Sequence, residues 1–487
     1  MRVADLLQIL PLIILAAGAV LGMLGIAAWR SHVVTFVLTL ATLLLALVSL
    51  RIPMAAESEY ITALLRFDGY AIFFMGLLFS AAIVVVVMSY GYMRERPIVR
   101  EEFYLLILTA MLGCAVLVSS THFVSFFIGF ELLSVSLYIL IAYNRSRPID
   151  IEAGVKYLVP ASTSSALLLF GMSLVYAHTG TMELFELAGL AAAPWQRGDL
   201  LAFVGAGMIL TGIGFKLALV PFHSWAADVY EGSPAPVTAL IATASKGAIF
   251  ALLLRYFGAM HLRTQGPFLF IFTWVAVLSM FVGNYLALRQ NNVKRLLAYS
   301  SIAHMGYLLV AFLAAGALAV TAVTFYLLAY FITTLGAFGV ITMMSDKDED
   351  FADIEDYRGL AAVHPFLAAT LSAMMFSLAG LPLTAGFLAK FYAVLAGVRS
   401  EMWLLVLVLA ANSVISLFYY LRVIIAVYQP VQPAPDEAGV IHPRKATPSG
   451  SLIGTVILAL LLLALLGIGV YPGPIIRFIE SLTGSLV

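Results

Sequence analysis

Charged residues are scarce in this chain: they make up 11% of its 487 residues, less than half the share of a typical soluble domain. The 26 basic and 26 acidic side chains cancel, so no positive surplus indicates nucleic-acid binding. Cys114 is the single cysteine, which excludes an intrachain disulfide and an iron–sulfur cluster with four cysteine ligands. The sequence also lacks a glycine-rich dinucleotide-binding motif. We therefore expect no cofactor, no metal and no nucleic acid on this chain.

Apolar residues make up 63% of the chain and fall into blocks long enough to cross a bilayer, which takes about 20 helical residues. The blocks lack the alternation of an outer-membrane barrel, so helices are the structure that satisfies their backbone in lipid. The sequence thus predicts an all-α polytopic membrane protein with about fourteen transmembrane helices. The blocks run over Leu6–Ala28, Val33–Leu50, Gly69–Tyr92, Phe103–Ser120, Phe123–Tyr143, Gly154–His178, Leu200–Val220, Pro236–Gly258, Phe268–Leu288, Leu296–Ala315, Val320–Met344, Ala361–Val398, Met402–Val427 and Leu452–Val470.

The loops between these blocks differ in their basic residues, and an excess of lysine and arginine marks the cytoplasmic side. One set of alternate loops carries Arg94, Arg96, Arg100, Arg145, Arg147, Arg289, Lys294, Arg295, Lys347, Arg358, Arg444 and Lys445. The opposite set offers mainly Arg51, Arg66, Arg197, Arg263 and Arg399. This asymmetry predicts that both termini lie outside.

Two polar stretches are not predicted to enter the membrane. The acidic segment from Asp346 to Asp356 is expected to be a cytoplasmic loop, most simply a solvated face, with a docking surface as the alternative. The stretch from Gln429 to Gly450 is polar and rich in proline, and it is expected to be a linker that delivers the last helix.

Four ionisable residues lie inside apolar blocks: Glu131 in the fifth, Lys216 in the seventh, Lys246 in the eighth and Lys390 in the twelfth. A charged side chain at the bilayer centre costs at least about 2.5–3.5 kcal/mol, so such residues need a partner or a function. Lys246 has about ten apolar-rich residues on either side, so its ammonium is not expected to reach the membrane surface by snorkelling. We predict that these four residues carry the function.

Other polar residues have simpler explanations. Lys156 follows Glu152 by four residues and is expected to form a surface salt bridge, while Arg422 lies near a helix end, within snorkelling reach of the membrane surface. Buried serine, threonine and histidine residues more often hydrogen-bond between helices than relay protons. Five nevertheless lie close enough to the buried charges to be candidates for a supporting relay: His223, Thr243, Ser245, Ser300 and His304.

Breaks are predicted in the seventh and twelfth blocks. Pro221 opposes the carbonyl of Leu217, beside Lys216, and Gly380 with Pro382 interrupts the twelfth block. Water or polar side chains are expected around the freed carbonyls. Two breaks five blocks apart favour two inverted five-helix repeats around an ion pathway, blocks four to eight and nine to thirteen. The predicted divisions are 1–100 (three N-terminal helices), 101–260 and 261–430 (the repeats), and 431–487 (linker and last helix).

Protons are the cargo that such a set of residues favours, because buried lysines lose protons readily. If Glu131 and Lys216 pair at ~4 Å in a dielectric near 20, they attract by about 4 kcal/mol. Moving one charge through ~100 mV costs about 2.3 kcal/mol, so gating one such pair is energetically sufficient. The expected order is that Glu131 sets the state of Lys216, Lys246 stores the proton and Lys390 hands it outward.

Four segments resemble the antiporter-like subunits of respiratory complex I, the NADH-quinone oxidoreductase. They are FYLLILTAMLGCAVLVSSTHFVSFFIGFELLSVSLYIL, GIGFKLALVPFHSWAADVYEGSPAPVTALIATASKGAIF, QNNVKRLLAYSSIAHMGYLLV and SLAGLPLTAGFLAKFY, and the match extends from the third block to the thirteenth. The chain is most similar to the N type of these subunits. The L type has a long lateral helix for which there is no room, and the M type typically has a glutamate where Lys390 stands.

This resemblance implies broken seventh and twelfth helices and a proton route at the membrane midplane. It implies that Glu131 is the glutamate of the fifth helix, Lys216 its lysine partner, Lys246 the central lysine and Lys390 the lysine near the outer exit. It also implies an enzyme subunit in a bacterial inner membrane, with FMN and iron–sulfur clusters on other subunits and quinone as acceptor. The expected partners are other membrane subunits, including the M type and the small ones, and the lipid bilayer.

Two alternatives stay open at the level of these residues. A subunit of a multisubunit Na⁺/H⁺ antiporter or of a membrane-bound hydrogenase shares the same core and the same buried charges. An independent secondary transporter is the second alternative, and proton or sodium flux through the chain alone in liposomes would support it.

Overall fold

The computed structural model describes residues 3–54, 60–184, 186–187, 200–259, 266–314, 316–347, 349–430 and 452–483. Within these residues, thirteen helices are long and apolar enough to cross a membrane. The first seven are α1 Leu10–Ala28, α2 His32–Ser49, α3 Gly69–Glu95, α4 Glu101–Ser119, α5 Phe123–Ile141, α6 Pro148–Thr179 and α7 Leu200–Leu217. The next is α8, which runs from Ala235–Leu240 through a π turn, Ile241–Ser245, into Lys246–Ala259. The others are α9 Gly266–Leu288, α10 Val293–Leu313, α11 Ala317–Met344, α13 Trp403–Tyr428 and α14 Leu452–Val470.

The twelfth block forms two shorter helices, α12a Pro365–Ala379 and α12b Ala385–Arg399, which together make the fourteenth membrane element. The all-α polytopic fold and the break in the twelfth block are therefore confirmed. The remaining elements are small. They are the helices Val3–Gln8, Arg51–Met54, Ala226–Gly232 and Leu360–Val363, the 3₁₀ turn Ile354–Tyr357, the C-terminal helix α15 Gly473–Thr483, and the hairpin of β1 Tyr60–Thr62 with β2 Leu65–Arg66.

Two boundaries differ from the sequence prediction. Helix α6 begins at Pro148, six residues before the predicted start, because a proline at the first helical position has no N–H to leave unpaired. Helix α7 ends at Leu217, earlier than the predicted Val220, so its break precedes Pro221. Most of the predicted linker Gln429–Gly450 lies outside the described residues.

The pairs α4–α5 and α9–α10 are built in the same way. A Cβ atom on Gly113 of α4 would lie 2.7 Å from the backbone nitrogen of Leu133 in α5. A Cβ atom on Gly283 of α9 would lie 2.7 Å from the backbone nitrogen of Ala303 in α10. Both pairs therefore need glycine for backbone contact, at corresponding places in the two predicted repeats.

The acidic loop is exposed at Glu349, Asp353 and Glu355, as the sequence suggested, but Asp350 is buried. Its carboxylate accepts hydrogen bonds from Arg96 at 3.1 Å, Lys294 at 2.8 Å and Tyr92 at 2.8 Å, and from the backbone N–H of Ala235 at 3.1 Å. Burial by itself would raise the pKa of this carboxyl, but Lys294 and Arg96 outweigh it and hold the pKa well below its usual range. This cluster joins the end of α3 to the starts of α8 and α10.

A second buried ion pair joins the opposite ends of α3 and α8. Arg255 donates to both carboxylate oxygens of Asp68, at 2.7 and 2.9 Å, and Tyr70 donates to the carbonyl of Ala251 at 2.8 Å. Asp68 also accepts from the backbone of Ala71 as the N-cap of α3. The two central helices are thus held at both ends, and α8, which carries Lys246, has little freedom to slide.

Candidate functional site

Glu131 and Lys216 lie near each other but do not form the expected ion pair. The Lys216 ammonium, 1% exposed, instead donates a 2.8 Å hydrogen bond to the hydroxyl of Tyr157 in α6. Glu131, partly buried in α5, accepts a hydrogen bond from Ser165, also in α6. No ion pair between the two charges is present among the described residues, so each is held separately by α6. The direct Glu131–Lys216 pair that the resemblance implies is not formed in this structure.

The break after Lys216 is capped by one side chain from the turn that follows and one from α9. The indole N–H of Trp225 donates to the carbonyl of Phe215 at 3.0 Å, and the N–H of Val220 donates to Ser279 Oγ at 3.0 Å. Polar groups thus gather at the break as expected, but the carbonyl they reach is that of Phe215, because the helix ends before Pro221 takes effect. Lys216 therefore lies at a helix end whose backbone is hydrogen-bonded by Trp225 and Ser279.

His223 lies in the turn after this break and is half-buried. Its Nδ1 atom has no hydrogen-bond partner among the described residues. Burial lowers the pKa of His223, although a backbone contact with Pro221 opposes the effect, so the neutral imidazole is favoured. The structure does not bring His223 into hydrogen-bond contact with any of the four buried charges.

Lys246 lies at the centre of the molecule, 1% exposed, directly after the π turn of α8. Its ammonium donates to Ser301 Oγ of α10 at 2.5 Å, and Tyr330 of α11 donates to the same oxygen at 2.9 Å. The ring of Tyr230 lies 5.7 Å from the ammonium, within cation–π range. A π turn is itself a frequent mark of functional sites. Lys246 is thus surrounded by hydroxyl groups and aromatic rings.

Two of the predicted relay residues lie in this π turn. Thr243 donates its hydroxyl to the carbonyl of Ala239 at 2.6 Å, so it serves its own helix. Ser245 is buried and directly precedes Lys246. Both therefore shape the turn that presents Lys246, and neither makes a described hydrogen bond to its ammonium.

His304 and Ser300 belong to a second group of hydroxyls next to Lys246. His304 Nδ1 lies 2.8 Å from the hydroxyl of Tyr326, and Nε2 lies 3.3 Å from the hydroxyl of Tyr420. Ser300 is hydrogen-bonded to the same Tyr420 hydroxyl. The ring of Tyr330 packs on His304 with their centroids 5.4 Å apart. His304 therefore contacts the Lys246–Ser301–Tyr330 group through Tyr330.

Lys390 binds the broken end of α12a. Its ammonium donates to the carbonyl of Ala379, the last residue of that helix, at 2.9 Å. Gly380 follows with a φ of +86°, and a Cβ atom there would lie 2.8 Å from Lys390 Cδ. Only glycine allows both the left-handed turn and the passage of the lysine stem. The break in the helix thus leaves the Ala379 carbonyl free to accept a hydrogen bond from the Lys390 ammonium, which a continuous helix would not do. Pro382 lies inside the turn between the two halves.

Two connections lead from His304 towards Lys390. One runs through side chains: Tyr419 packs against Tyr420 with their rings tilted by 55° and donates to Asn284 at 2.9 Å, Asn284 donates to Tyr307 at 2.9 Å, and Lys390 lies 5.0 Å from the Tyr307 ring. The other is a cavity of about 10 Å³ between His304, Tyr330 and the α12 break, about the size of one water molecule.

Several of these groups were not identified from the sequence. Tyr157, Tyr330 and Tyr420 are buried tyrosines, and the available signal was a hydroxyl-bearing residue inside an apolar helix, which needs a partner there. Lys294 and Arg96, taken from the sequence as loop charges, are buried under Asp350. Lys156 forms the expected pair with Glu152, at 2.8 Å, and a further one with Asp228. Among the described residues no group of three His, Cys, Asp or Glu side chains is placed to hold a metal ion.

Comparison with known proteins identifies the family. The family described as NADH:quinone oxidoreductase/Mrp antiporter, TM, matches residues 120–416. A relative from Ectopseudomonas mendocina is 44% identical over 483 residues, 98% of this chain and 96% of the relative, and one from Nitrosospira multiformis is 47% identical over 495 residues, 99% and 97%. Both are named NADH-quinone oxidoreductase subunit N. A chain of respiratory complex I from Thermus thermophilus with bound aureothin superposes with a TM-score of 0.79 at 33% identity, covering 96% of this chain and 98% of that one. The chain therefore belongs to the NADH:quinone oxidoreductase/Mrp antiporter transmembrane family, among the N subunits of NADH-quinone oxidoreductase.

Proposed function

We propose that this chain is a proton-translocating membrane subunit of NADH:quinone oxidoreductase, and that Glu131, Lys216, Lys246 and Lys390 carry the proton. The observation that carries the proposal is that three buried lysines each donate to a neutral oxygen: a tyrosine, a serine and a backbone carbonyl. A buried ammonium without a carboxylate partner is costly, so such a lysine exchanges its proton readily. Paired lysines would hold the charge in place instead.

Glu131 is proposed to control the first lysine. Tyr157 and Ser165 keep the two charges apart here, and a change of rotamer that brought them to ~4 Å would add about 4 kcal/mol of attraction. That energy exceeds the ~2.3 kcal/mol needed to move one charge through ~100 mV. Closing the pair would hold a proton on Lys216, and opening it would release the proton towards Lys246. Among the described residues no hydrogen bond connects Lys216 to Lys246, so this step requires water or side-chain movement.

The second half of the proposed route runs from Lys246 to Lys390. Between them lie Ser301, Tyr330 and His304. On the other side of the imidazole, the hydroxyls of Tyr420 and Ser300 continue the row of polar groups. Hydroxyls and imidazole both donate and accept, which is what proton transfer along a chain of groups requires. The cavity beside the α12 break extends from His304 to Ala389, the residue before Lys390, and has room for one water molecule in the last step.

The orientation and location of the chain follow from its loop charges. Because lysine and arginine concentrate in the loops on the Asp350 side, we infer that this side is cytoplasmic and that both termini lie outside, in a bacterial inner membrane. Lys390 then lies on the route to the outer surface.

The proposed partners and cofactors belong to the complex. Relatives of this chain are named as subunits of NADH-quinone oxidoreductase, so we infer that FMN and iron–sulfur clusters lie on other subunits and that quinone is the acceptor. M-type antiporter-like and small membrane subunits are the proposed neighbours. The antiporter and hydrogenase alternatives are not favoured, because relatives at 44–47% identity over nearly the whole chain carry the oxidoreductase name.

The test is Lys246→Ala in the assembled complex. NADH-driven proton pumping in membrane vesicles is expected to fall while assembly is retained, because Ser301 and Tyr330 can still bond to each other. Lys156→Ala is the matched control, since that lysine is exposed in surface ion pairs, and its effect should be mild. Unchanged pumping by an assembled Lys246→Ala complex would show that the route is wrong.

A further inference from the structure

Asp150 is a buried carboxylate that no function has yet explained. It lies in the first turn of α6, is 0% exposed, and neither carboxylate oxygen has a hydrogen-bond donor among the described residues. Its ion pair is with Arg147 of the same turn, whose Nε lies 3.5 Å from Oδ1. A buried ionised carboxylate normally needs several donors, so the absence of donors favours the protonated form or hydration.

The surroundings of Asp150 favour the opposite state. The nearby donors Lys294 and Arg96 are bound to Asp350, and the three side chains form a cluster of one negative and two positive charges. Asp150 lies within the electrostatic reach of that cluster, whose surplus positive charge favours a carboxylate. The charged and titratable groups around it are Arg147, Arg96, Tyr92, Lys294 and Asp350, while Asp228 and Glu231 on the neighbouring helix Ala226–Gly232 are engaged by Lys156 and Arg295. The two opposing influences make Asp150 a group that can change its protonation state.

Helix α6 connects Asp150 to the first buried lysine. Tyr157 follows Asp150 by seven residues, which is two helical turns and about 10 Å along the same face. Both residues and the small Gly154 between them are buried. Tyr157 holds Lys216, and Ser165, two further turns along α6, holds Glu131. One buried stripe of a single helix thus runs from the Asp350 side of the molecule to the Glu131–Lys216 site.

We propose that Asp150 is the residue through which this subunit takes up protons on the Asp350 side, for delivery along α6 to Tyr157 and Lys216. The Asp150 carboxylate accepts a proton from hydronium on the Asp350 side, which leaves a water molecule, and the resulting carboxyl passes the proton through intervening water to the neutral Lys216 amine. This leaves the Asp150 carboxylate ionised and Lys216 as an ammonium. The inference rests on the proposed function, because it supplies the proton that Lys216 is proposed to carry.

The experiment measures protons pumped per NADH by the assembled complex in proteoliposomes. Asp150→Asn, which keeps the size of the side chain, is expected to lower this ratio to the value given by Lys216→Ala, with NADH oxidation retained. Asp150→Glu is expected to restore pumping and to shift its dependence on the pH of the uptake side. Glu152→Gln, two residues along on the exposed face of α6, is the matched control and is expected to match the wild type.

Lys246→Ala run in parallel separates the two proposals. A fall in pumping with Lys246→Ala but not with Asp150→Asn overturns the role of Asp150 alone, whereas no fall with Lys246→Ala overturns the proposed function. If Asp150→Asn prevents assembly, Asp150→Glu decides: a pH profile identical to the wild type in the assembled complex contradicts proton uptake by Asp150.

Discussion

The hydroxyl of Tyr157 accepts a 2.8 Å hydrogen bond from the Lys216 ammonium, whereas the resemblance implied the Glu131 carboxylate as its partner. A tyrosine in this position holds the lysine without neutralising it. Ser165 of the same helix donates to Glu131, so α6 binds the two charges separately. The pair of residues Tyr157 and Lys216 is therefore the feature of the first half-site on which the proposed gating depends.

Tyr157→Phe removes this hydroxyl and leaves the ring packing in place. A hydrogen bond to a charged group contributes about 1.5–3 kcal/mol, so proton transfer through Lys216 should slow by roughly 10- to 100-fold. The measurement is NADH-driven proton pumping, normalised to assembled complex. Tyr176→Phe, at an exposed tyrosine of the same helix, should pump like the wild type. Equal pumping by both variants would contradict a role for the Tyr157 hydroxyl.

Ser301→Ala should disrupt the central site, because Lys246 and Tyr330 share the Ser301 oxygen as acceptor. We expect at least about a tenfold loss of pumping rate, since a buried ammonium loses its acceptor. In a double-mutant cycle with Lys246→Ala the effects should be strongly non-additive. Ser372→Ala is the control, because that buried hydroxyl donates to the carbonyl of Ala368 in its own helix. Additive losses would mean that Ser301 acts independently of Lys246.

Gly380→Ala should damage the outer half-site through the backbone. A residue other than glycine at φ +86° costs about 1–3 kcal/mol, and the added Cβ would meet Lys390 Cδ at 2.8 Å. We expect a lower melting temperature of the complex and reduced pumping, as Lys390 is pushed from the Ala379 carbonyl. Gly467→Ala in α14, where a Cβ meets nothing within 4 Å, should change neither. A variant with wild-type melting and pumping would refute this account of the break.

Asp350→Asn should destabilise the fold, because it leaves Lys294 and Arg96 buried without their anion. Loss of one partner of a buried ion pair costs about 3–5 kcal/mol. Because the pKa of Asp350 is lowered in the folded chain, its stabilisation is fully present above the ordinary carboxyl value of about 3.9 and is lost as the pH falls through the lowered value. The difference in thermal stability from the wild type should therefore be constant between about pH 5 and pH 9.

Glu355→Gln is the control for this prediction. Glu355 is exposed and pairs with Arg358 at the surface, where such a pair contributes little. Its melting temperature should match the wild type at every pH. A destabilisation by Asp350→Asn that disappeared towards neutral pH would show that the carboxylate is not the stabilising species.

Much of the fold could be predicted from the sequence, because backbone polar groups in lipid have no water to bond to and must be satisfied within the chain. Long apolar blocks have to be helices that satisfy their own backbone, so the fold class and the count of spans follow from the pattern. A charge inside such a block is costly, so Glu131, Lys216, Lys246 and Lys390 stand out without any knowledge of their neighbours. Glycine and proline likewise marked the two breaks, since they act through the local backbone.

The partners of these residues were decided by the tertiary structure alone. Helices such as α10 are buried on nearly every side, so the sequence pattern does not reveal which face meets which neighbour. Lys216 was expected to meet Glu131 and meets Tyr157, and Asp350 was expected in water and lies under Lys294 and Arg96. The residues of each of these contacts lie more than fifty positions apart in the chain. A buried charge can be recognised from its own segment, but its binding partner depends on how distant helices pack, and that is fixed by the folded molecule.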